Sequence, residues 1–406
     1  MKTKDTIKNI FPENEKPLVS IAGKQGPFNN VINVLKPIDL SFAKNKSVLL
    51  KPNLGRAAKA EHGYNTHPQT LAALIEVFTK AGASKVAIGE SPLVGIDTFE
   101  AFEKGGITEI ANKYGIELID MDAKTPVKKI IPDSRVVNET KVCKDVYEYD
   151  ILVSVPVTKT HMHTGVTLGI KNMKGCLYRH EKVRYHQLEY QSTNYPEKTL
   201  DSAISDLATI LLPDLTVIDG YIGMEGLGPS GGEVIKSDFA VASRHPMGAD
   251  IFGCILMGID PSSVVHLKLV SERNNFSLDP ESYLIVSEDY QKFIVPYKQP
   301  PKDISVKFDR VHVYESEACS SCLSTLFLFL RRFKDEMDPY LLDDGRFHIA
   351  IGKGVKNPKV GTVFVGNCTR NNKGKGIFVK GCSPVPTRIY EAITGREPDE
   401  NEPEVE

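Results

Sequence analysis

The chain has 406 residues, with 50 Lys and Arg against 52 Asp and Glu, so its formal net charge is −2. A near-neutral balance excludes the basic surface that a dedicated nucleic-acid binder needs. Hydrophobic residues at 41% and charged residues at 25% exclude a largely disordered or fibrous chain. The length suggests about two or three domains. The number of cysteines, seven, is odd, so they cannot all pair with one another in disulfides.

The sequence carries no signal for export or for a membrane span. Its N-terminus is polar and lacks the apolar stretch of a secretory signal. The apolar runs at 251–259 and 323–330 are far shorter than the roughly 20 residues that cross a bilayer. We therefore expect a soluble cytoplasmic protein, in which clustered cysteines more often bind metal or do redox chemistry than form disulfides.

The first 300 residues alternate between predicted strands and helices. Strands are predicted at 18–22, 47–50, 85–88, 116–119, 150–157 and 215–218. Helices are predicted from 68 to about 82 and over 98–114, 200–212 and 248–257, while the glycine-rich residues 219–232 are typical of turns. Strand–helix–strand succession favours right-handed crossovers. We expect an α/β fold with a mostly parallel sheet and helices on both faces.

A change in composition near 297–303, which is rich in Pro and Lys, indicates a linker. Beyond it, short strands are predicted at 305–314, 347–351, 361–365 and 377–379, and a helix at 323–337. The sequence thus predicts an α/β domain over 1–300 and a smaller α/β module over 305–396. The acidic tail over 397–406 is predicted to be disordered.

Four of the seven cysteines fall within 64 residues, where even spacing would place about one. They are Cys319, Cys322, Cys368 and Cys382. Each lies in a loop after a predicted strand, and the carboxyl ends of parallel strands share one edge of the sheet. Four thiolates suit an iron–sulfur cluster or a tetrahedral zinc ion. Four unconnected buried thiols are the remaining alternative.

The segments CSSCLSTL (319–326), GNC (366–368) and GCSPVP (381–386) resemble the proximal-cluster pattern of the small subunit of nickel-iron hydrogenases. The resemblance implies a [4Fe–4S] cluster on a flavodoxin-like domain, with these four cysteines as its ligands. Two departures stand out. Ser320 and Ser321 replace the glycine usual inside the CxxC pair, and Ser383 replaces the first proline of the usual Cys-Pro-Pro.

The first three-quarters of the chain resembles another family, number 362 among the domains of unknown function. The resemblance lies in KPN at 51–53 and in residues 65–92, 155–176 and 219–232. Members commonly carry a C-terminal iron–sulfur module, but the family has no settled activity. The combination of histidine, glycines and lysines is also similar to the lactate racemase superfamily. The histidine-rich signature of that superfamily is not clearly present, so its nickel-pincer chemistry is not expected here.

Several polar residues follow predicted strands of the first domain, where open α/β sheets place ligands. Lys171, Lys174 and Glu225 are the candidate catalytic residues, the lysines as amines one helical turn apart and the glutamate as a proton acceptor. The candidate substrate-binding residues are Lys51, Asn53, His161, His163 and Asp219. The alternatives are a solvated helix face for the lysines and ordinary loop-edge positions for the histidines.

These patterns favour an iron–sulfur redox enzyme. A C-terminal [4Fe–4S] cluster would pass electrons to a small molecule or cofactor held in the first domain. The alternatives are an electron-transfer or maturation protein without catalysis, and a non-redox enzyme whose cluster is structural. The expected partner is a small-molecule substrate or a redox protein.

Overall fold

The computed structural model describes residues 15–188, 197–229, 231–287, 289–300 and 308–397. The predicted acidic tail lies outside the described residues, apart from Glu397. The described residues divide into two compact units. The first unit comprises those within 1–226 and 233–300, and the second unit comprises those within 227–232 and 301–406.

Twelve strands of the described residues lie in the first unit and four in the second. The first-unit strands are β1 Leu18–Gly23, β2 Ser47–Pro52, β3 Lys85–Glu90, β4 Glu117–Asp120, β5 Val127–Ile130, β6 Glu139–Val142, β7 Ile151–Val155, β8 Val157–His161, β9 Gly165–Thr167, β10 Leu215–Glu225, β11 Glu233–Ser243 and β12 Leu284–Val286. The second-unit strands are β13 Val311–Glu315, β14 Phe347–Ile351, β15 Val363–Val365 and β16 Ile377–Val379.

The α-helices connect these strands. Those of the first unit are α1 Gly26–Leu35, α2 Pro68–Lys80, α3 Thr98–Lys104, α4 Ile107–Tyr114, α5 Asp145–Glu148, α6 Gly169–Asn172, α7 Glu181–Arg184, α8 Thr199–Ala208, α9 Pro246–Leu256 and α10 Val265–Asn274. Those of the second unit are α11 Ser320–Phe333 and α12 Pro386–Thr394. Short 3₁₀ helices lie between these elements, including one at Met173–Cys176 directly after α6.

The large sheet of the first unit has ten strands. Its main path runs β12-β1-β11-β10-β7-β2-β3-β4, with β8 paired to β10 and to β9. Within this sheet, as far as the structure describes it, antiparallel pairing is confined to β1 with β11, β11 with β10, and β8 with β9. The remaining pairs are parallel, so β2, β3, β7 and β10 end at the same edge.

Apolar side chains on alternate strand positions face opposite cores. Leu49 and Leu152 join a core built with α8, α9 and α10, whereas Leu50 and Val153 join a core built with α1 to α4. Such continuous apolar runs are typical of strands that are buried on both faces. The predicted α/β fold, with a mostly parallel sheet and helices on both faces, is confirmed.

Two local predictions differ from the structure. The predicted helix over 98–114 is divided into α3 and α4, because Gly106 between them adopts a left-handed conformation with φ of 72°. The glycine-rich segment, predicted to be turns from residue 219, instead continues β10 as far as Glu225. An added Cβ at Gly220 would lie 2.4 Å from the ring of Phe239, so the glycine lets the aromatic ring pack onto the strand.

The small sheet of the second unit is entirely parallel and runs β13-β14-β15-β16. Its strands end in register, with Glu315 opposite Ile351, Ile351 opposite Val365 and Val365 opposite Val379. The loops that follow therefore leave the sheet side by side at one level. No helix of the described residues is long and apolar enough to span a membrane.

Candidate functional site

A buried ion pair joins the carboxyl ends of β2 and β3. Lys51 Nζ lies 2.7 Å from Glu90 Oε1, and the two side chains are 1% and 2% exposed. Both side chains also make further hydrogen bonds to the backbone. Lys51 Nζ donates to the carbonyl of Pro52 at 2.6 Å, and the Glu90 carboxylate accepts from the backbone N–H groups of Leu54 and Ser91 at 2.8 Å. Such saturation is what a buried pair needs in order to persist.

A second network connects the end of β2 to β8 and α6. Lys159 Nζ donates to Asn53 Oδ1 at 2.7 Å and to the carbonyl of Tyr64 at 2.8 Å. Asn53 also donates to Asn172 Oδ1 at 3.3 Å, and Asn172 donates to the carbonyl of Lys51 at 3.1 Å. The network fixes the positions of two lysines that the chain separates by more than a hundred residues.

Lys159 has an unusual ionisation. Burial lowers its pKa to about 7, assisted by the positive charges of Lys171, Arg56 and Lys51 and opposed by Glu90. A neutral amine has two N–H groups and one lone pair. In the neutral form both N–H groups donate, one to Asn53 and one to Tyr64, so the lone pair remains available to accept a proton. Lys159 therefore has the properties of a proton acceptor.

Helix α6 carries Lys171, and an aspartate fixes where this helix begins. Asp250 Oδ1 and Oδ2 accept from the backbone N–H groups of Gly169 at 2.7 Å and Ile170 at 2.9 Å. Burial raises the pKa of Asp250 to about 7, while these two hydrogen bonds act in the opposite direction. An added Cβ at Gly169 would lie 2.6 Å from Thr216 Cγ2, so only glycine permits this close approach.

Three histidines lie around the lysines. His161 Nδ1 accepts from the backbone N–H groups of His163 at 3.1 Å and Thr164 at 3.3 Å, so a neutral ring carries its proton on Nε2. Burial, then Lys171, holds the pKa of His161 well below its usual range. Burial also lowers the pKa of His163 to about 4 and that of His186 well below its usual range. Both rings are therefore neutral at pH 7.

Lys174 lies in the 3₁₀ turn that follows α6. Its Nζ donates to the carbonyl of Lys182 at 3.2 Å and contacts His186 Nε2. Lys171 and Lys174 both lower the pKa of His186. The structure therefore brings together seven polar residues, which we call the lysine site: Lys51, Asn53, Lys159, His161, His163, Lys171 and Lys174.

The two acidic candidates make other contacts. Asp219 Oδ2 accepts from the backbone N–H of His67 at 2.7 Å, at the start of α2, and Oδ1 accepts from that of Tyr221 at 3.1 Å. Burial raises the pKa of Asp219. Glu225 accepts from the backbone N–H of Lys298 at 2.8 Å and lies 3.4 Å from its Nζ. These contacts give both carboxylates a role in holding the chain around β10.

The four C-terminal cysteines follow the in-register ends of three strands. Cys319 comes four residues after the end of β13, and Cys368 and Cys382 each come three residues after the ends of β15 and β16. The pKa of the Cys322 thiol is raised by its hydrogen bond with Cys319, by burial and by the negative charges of the three other cysteines. The sulfurs of Cys319, Cys368 and Cys382 therefore all lie within electrostatic reach of the Cys322 sulfur.

Backbone contacts hold the cysteine loops together. The N–H of Gly366 donates to the carbonyl of Val379 at 2.9 Å, and that of Asn367 donates to Gly381 at 2.8 Å. An added Cβ at Gly366 would lie 3.3 Å from Cys322 Sγ, which places α11 directly against the loop after β15. Cys319 is the residue before α11, so the positive end of the helix dipole favours thiolates there.

The four C-terminal cysteines have the chemistry and the number of the ligands that a [4Fe–4S] cluster requires. Among the described residues, no three His, Cys, Asp or Glu side chains converge closely enough to hold a single metal ion. A [4Fe–4S] cluster sets a different requirement, because each of its four thiolates binds a different iron atom. The other three cysteines, Cys143, Cys176 and Cys254, are buried in the first unit.

Some residues of the lysine site carry no sequence signal of their own. Asn172, His186 and Asp250 are ordinary residues in helices or loops, and only the fold brings them to the lysines. The one available signal is Gly169 directly before Lys171, since a glycine at the start of a helix indicates close packing.

Comparison with known proteins gives one curated relative and two solved structures that are similar to this chain. The thylakoid-associated protein sll1697 of Synechocystis is 25% identical over 247 residues, which cover 61% of this chain and 72% of the relative. Among solved structures, the lactate racemase apoprotein from Thermoanaerobacterium thermosaccharolyticum matches with a TM-score of 0.39 and 15% identity, over 60% of this chain and 58% of that one. A Thermotoga maritima protein matches with a TM-score of 0.35 and 12% identity, over 65% and 60%.

The chain spans less than two thirds of the length of these two solved structures. A family model extends the comparison to the elements that hold the lysine site. The model described as "Domain of unknown function (DUF362)" matches residues 48–255, just over half of the chain and the stretch from β2 to α9. The protein is therefore a member of the DUF362 family.

Proposed function

We propose that the protein is an iron–sulfur redox enzyme. In this proposal Cys319, Cys322, Cys368 and Cys382 bind a [4Fe–4S] cluster, and a small molecule binds at the lysine site of the first unit. The observation that carries the proposal is the register of the small sheet. Because its strands end opposite one another, the four thiols that follow them lie in one region. We place the protein in the cytosol, where reducing conditions keep thiols available for iron.

A bound [4Fe–4S] cluster supplies the transfer of single electrons. The chain contributes the surroundings of the sulfurs. Lys353 and Arg370 are positive charges near Cys368 that favour its thiolate, although burial raises the pKa of this thiol overall. In the first unit, Lys159 has a pKa of about 7, so it accepts a proton when neutral and donates one when protonated. Reductions of small molecules commonly need both electrons and protons. In this proposal protonated Lys159 would donate the proton, and the electrons would come from a redox partner by way of the cluster.

The second unit has an apolar core of its own. Phe329, Phe333, Phe347 and Phe364 are fully buried. Burial of each aromatic side chain contributes roughly 1.5–3 kcal/mol, so we expect this unit to fold without a metal. This favours a redox role over a purely structural cluster. We therefore expect loss of the cluster to leave the far-ultraviolet circular dichroism of the protein unchanged.

The proposal is tested by counting iron and sulfide in protein purified without oxygen and then reconstituted. We expect about four of each per chain and an electron paramagnetic resonance signal after reduction with dithionite. Cys368→Ala should lose most of the iron. Cys143→Ala is the matched control, because this buried cysteine lies in the first unit, and its iron content should be unchanged. Iron well below four in the reconstituted wild-type protein would defeat the proposal.

A further inference from the structure

Among the described residues of the first unit, Lys159 and Lys171 lack the counter-charge that the buried Lys51 and Lys182 have. Lys51 pairs with Glu90, and Lys182 pairs with Asp122 at 3.3 Å. Lys159, by contrast, is 5% exposed, and its neighbours in space, as far as the structure describes them, offer it only the neutral oxygens of Asn53 and Tyr64. Within the described ranges, Lys171 Nζ donates only to Thr167 Oγ1, at 3.4 Å. Neither has a carboxylate within ion-pair distance in the part of the chain that the structure describes.

Lys171 is at the centre of this group. Burial is the largest cause of the lowered pKa of four groups, and the charge of Lys171 lowers each of these values further. The four groups are Lys159, His161, His163 and His186. The acidic group that acts on Lys171 is Asp201 of α8, which opposes the effect of burial from beyond ion-pair distance. A buried region with this excess of positive charge is costly unless an anion compensates it.

Two neutral histidines, His161 and His163, lie within electrostatic range of Lys171 and can donate hydrogen bonds. His161 carries its proton on Nε2, as its two backbone hydrogen bonds require. His163 Nε2 is buried and has no hydrogen-bond partner among the described residues. A buried polar atom without a partner indicates a missing ligand or water. After burial, the charges of Lys198 and Lys171 lower the pKa of His163, so both lysines lie within electrostatic range of this ring.

We infer that the lysine site binds the anionic group, a carboxylate or a phosphate, of a small molecule, with Lys171 as its charged ligand and His161 and His163 as neutral donors. This inference rests on the proposed function, since it assigns a chemical class to the small molecule of that site. Carboxylate and phosphate share the feature that the site recognises, which is a compact group of negatively charged oxygens.

Anion binding is coupled to protons at this site. Without an anion, burial lowers the pKa of Lys159 to about 7 and that of Lys171 to about 8. An anion favours the charged form of each lysine and raises both values. The charged groups around them are Lys51 with Glu90, Arg56, Lys174 and Asp201. At pH 8, where Lys159 is mostly neutral, binding should therefore take up roughly one proton per anion.

The test is calorimetric titration of the full chain at pH 8 with inorganic phosphate and, separately, with malonate. Each titration is repeated in two buffers of different ionisation enthalpy, so that the number of protons taken up is measured directly. We expect saturable binding of at least one of the two anions, with proton uptake. Lys171→Met should weaken that binding by roughly tenfold to a hundredfold, and Lys171→Arg, which keeps the charge, should retain most of it.

Lys85→Met is the matched control, because Lys85 belongs to the same large sheet but is exposed and paired with Glu117. It should bind the anion as the wild-type protein does. Circular dichroism establishes that each variant is folded, and Lys171→Arg still tests the site if Lys171→Met is not. Failure of folded wild-type protein to bind either anion, or unchanged binding by folded Lys171→Met, overturns the inference. Iron content measured on the same samples reports separately on the cluster.

Discussion

The carboxyl edges of the two parallel sheets carry polar sites of different construction. At the large sheet, Lys51 and Lys159 of the candidate site belong to strands β2 and β8 themselves, and both are buried in hydrogen-bond networks. In the small sheet the cysteines lie in loops beyond the strand ends, and Cys319, Cys368 and Cys382 are only partly buried.

This difference shows how each site depends on the fold. The lysine site is part of the interior of the first unit, so its Lys51–Glu90 ion pair and its hydrogen bonds contribute to the stability of that unit. The cysteine site is added to a sheet that has its own apolar core. Substitutions in the lysine site should therefore change stability strongly, whereas substitutions in the cysteine site should change cofactor content and leave stability nearly unaltered.

The largest effect is expected from Lys51→Met. This substitution leaves Glu90 buried and charged without its partner, which typically costs about 3–5 kcal/mol of unfolding free energy. Urea denaturation followed by circular dichroism measures the loss. In the double variant Lys51→Met with Glu90→Gln, part of the loss should be recovered, because the buried charge is gone. A cost below about 1 kcal/mol for the single variant would show that the pair is not held as described.

A smaller effect is expected from pH. The pKa of Lys159 is lowered from 10.5 to about 7 in the folded chain. Between these values the unfolded chain binds a proton that the folded chain lacks, so stability rises with pH across this window. Measured relative to Lys159→Met, which lacks the group, the wild-type protein should gain up to about 1.4 kcal/mol per pH unit between pH 7.5 and 10.

If the unfolding free energies of the wild-type protein and of Lys159→Met change with pH in the same way, Lys159 is not neutral and buried. Lys171 contributes to both profiles in the same direction, because its pKa is also lowered, from 10.5 to about 8. It is present in both proteins and therefore cancels from the difference, which makes Lys159→Met the appropriate reference.

The smallest effect is expected from Cys382→Ser in protein prepared without iron. Cys382 is partly exposed and lies in a loop, so the unfolding free energy should change by less than about 0.5 kcal/mol. The same variant should lose iron on reconstitution. A destabilisation as large as that of Lys51→Met would remove the contrast between the two sheets.

Much of the architecture follows from local sequence signals. Apolar runs bounded by polar residues predict the strands at 347–351 and 377–379 with the bounds that the structure shows. The cysteines are also easy to recognise, because they are rare residues whose chemistry narrows the possible roles. Their positions after short strands are sufficient to predict that they share one edge of a parallel sheet.

The sequence singles out most residues of the lysine site, but the contacts between them could not be predicted in the same way. Lysine and glutamate are usually exposed, and nothing near Lys51 in the sequence indicates that Glu90, 39 residues away, is its partner. The glycines of β10 illustrate the same limit. Locally they indicate turns, but an added Cβ at Gly223 would lie 2.4 Å from the carbonyl of Thr158, a residue of another strand. Such contacts depend on tertiary packing.

The connection between β10 and β11 has a consequence for dividing the protein. Residues 227–232 lie between two strands of the first unit but belong to the second unit, where Arg331 donates to the carbonyl of Gly232 at 3.1 Å. A fragment that begins at residue 301 lacks this acceptor. No single cut of the chain therefore releases a complete second unit, and a stand-alone version must carry the 227–232 segment on a new covalent link.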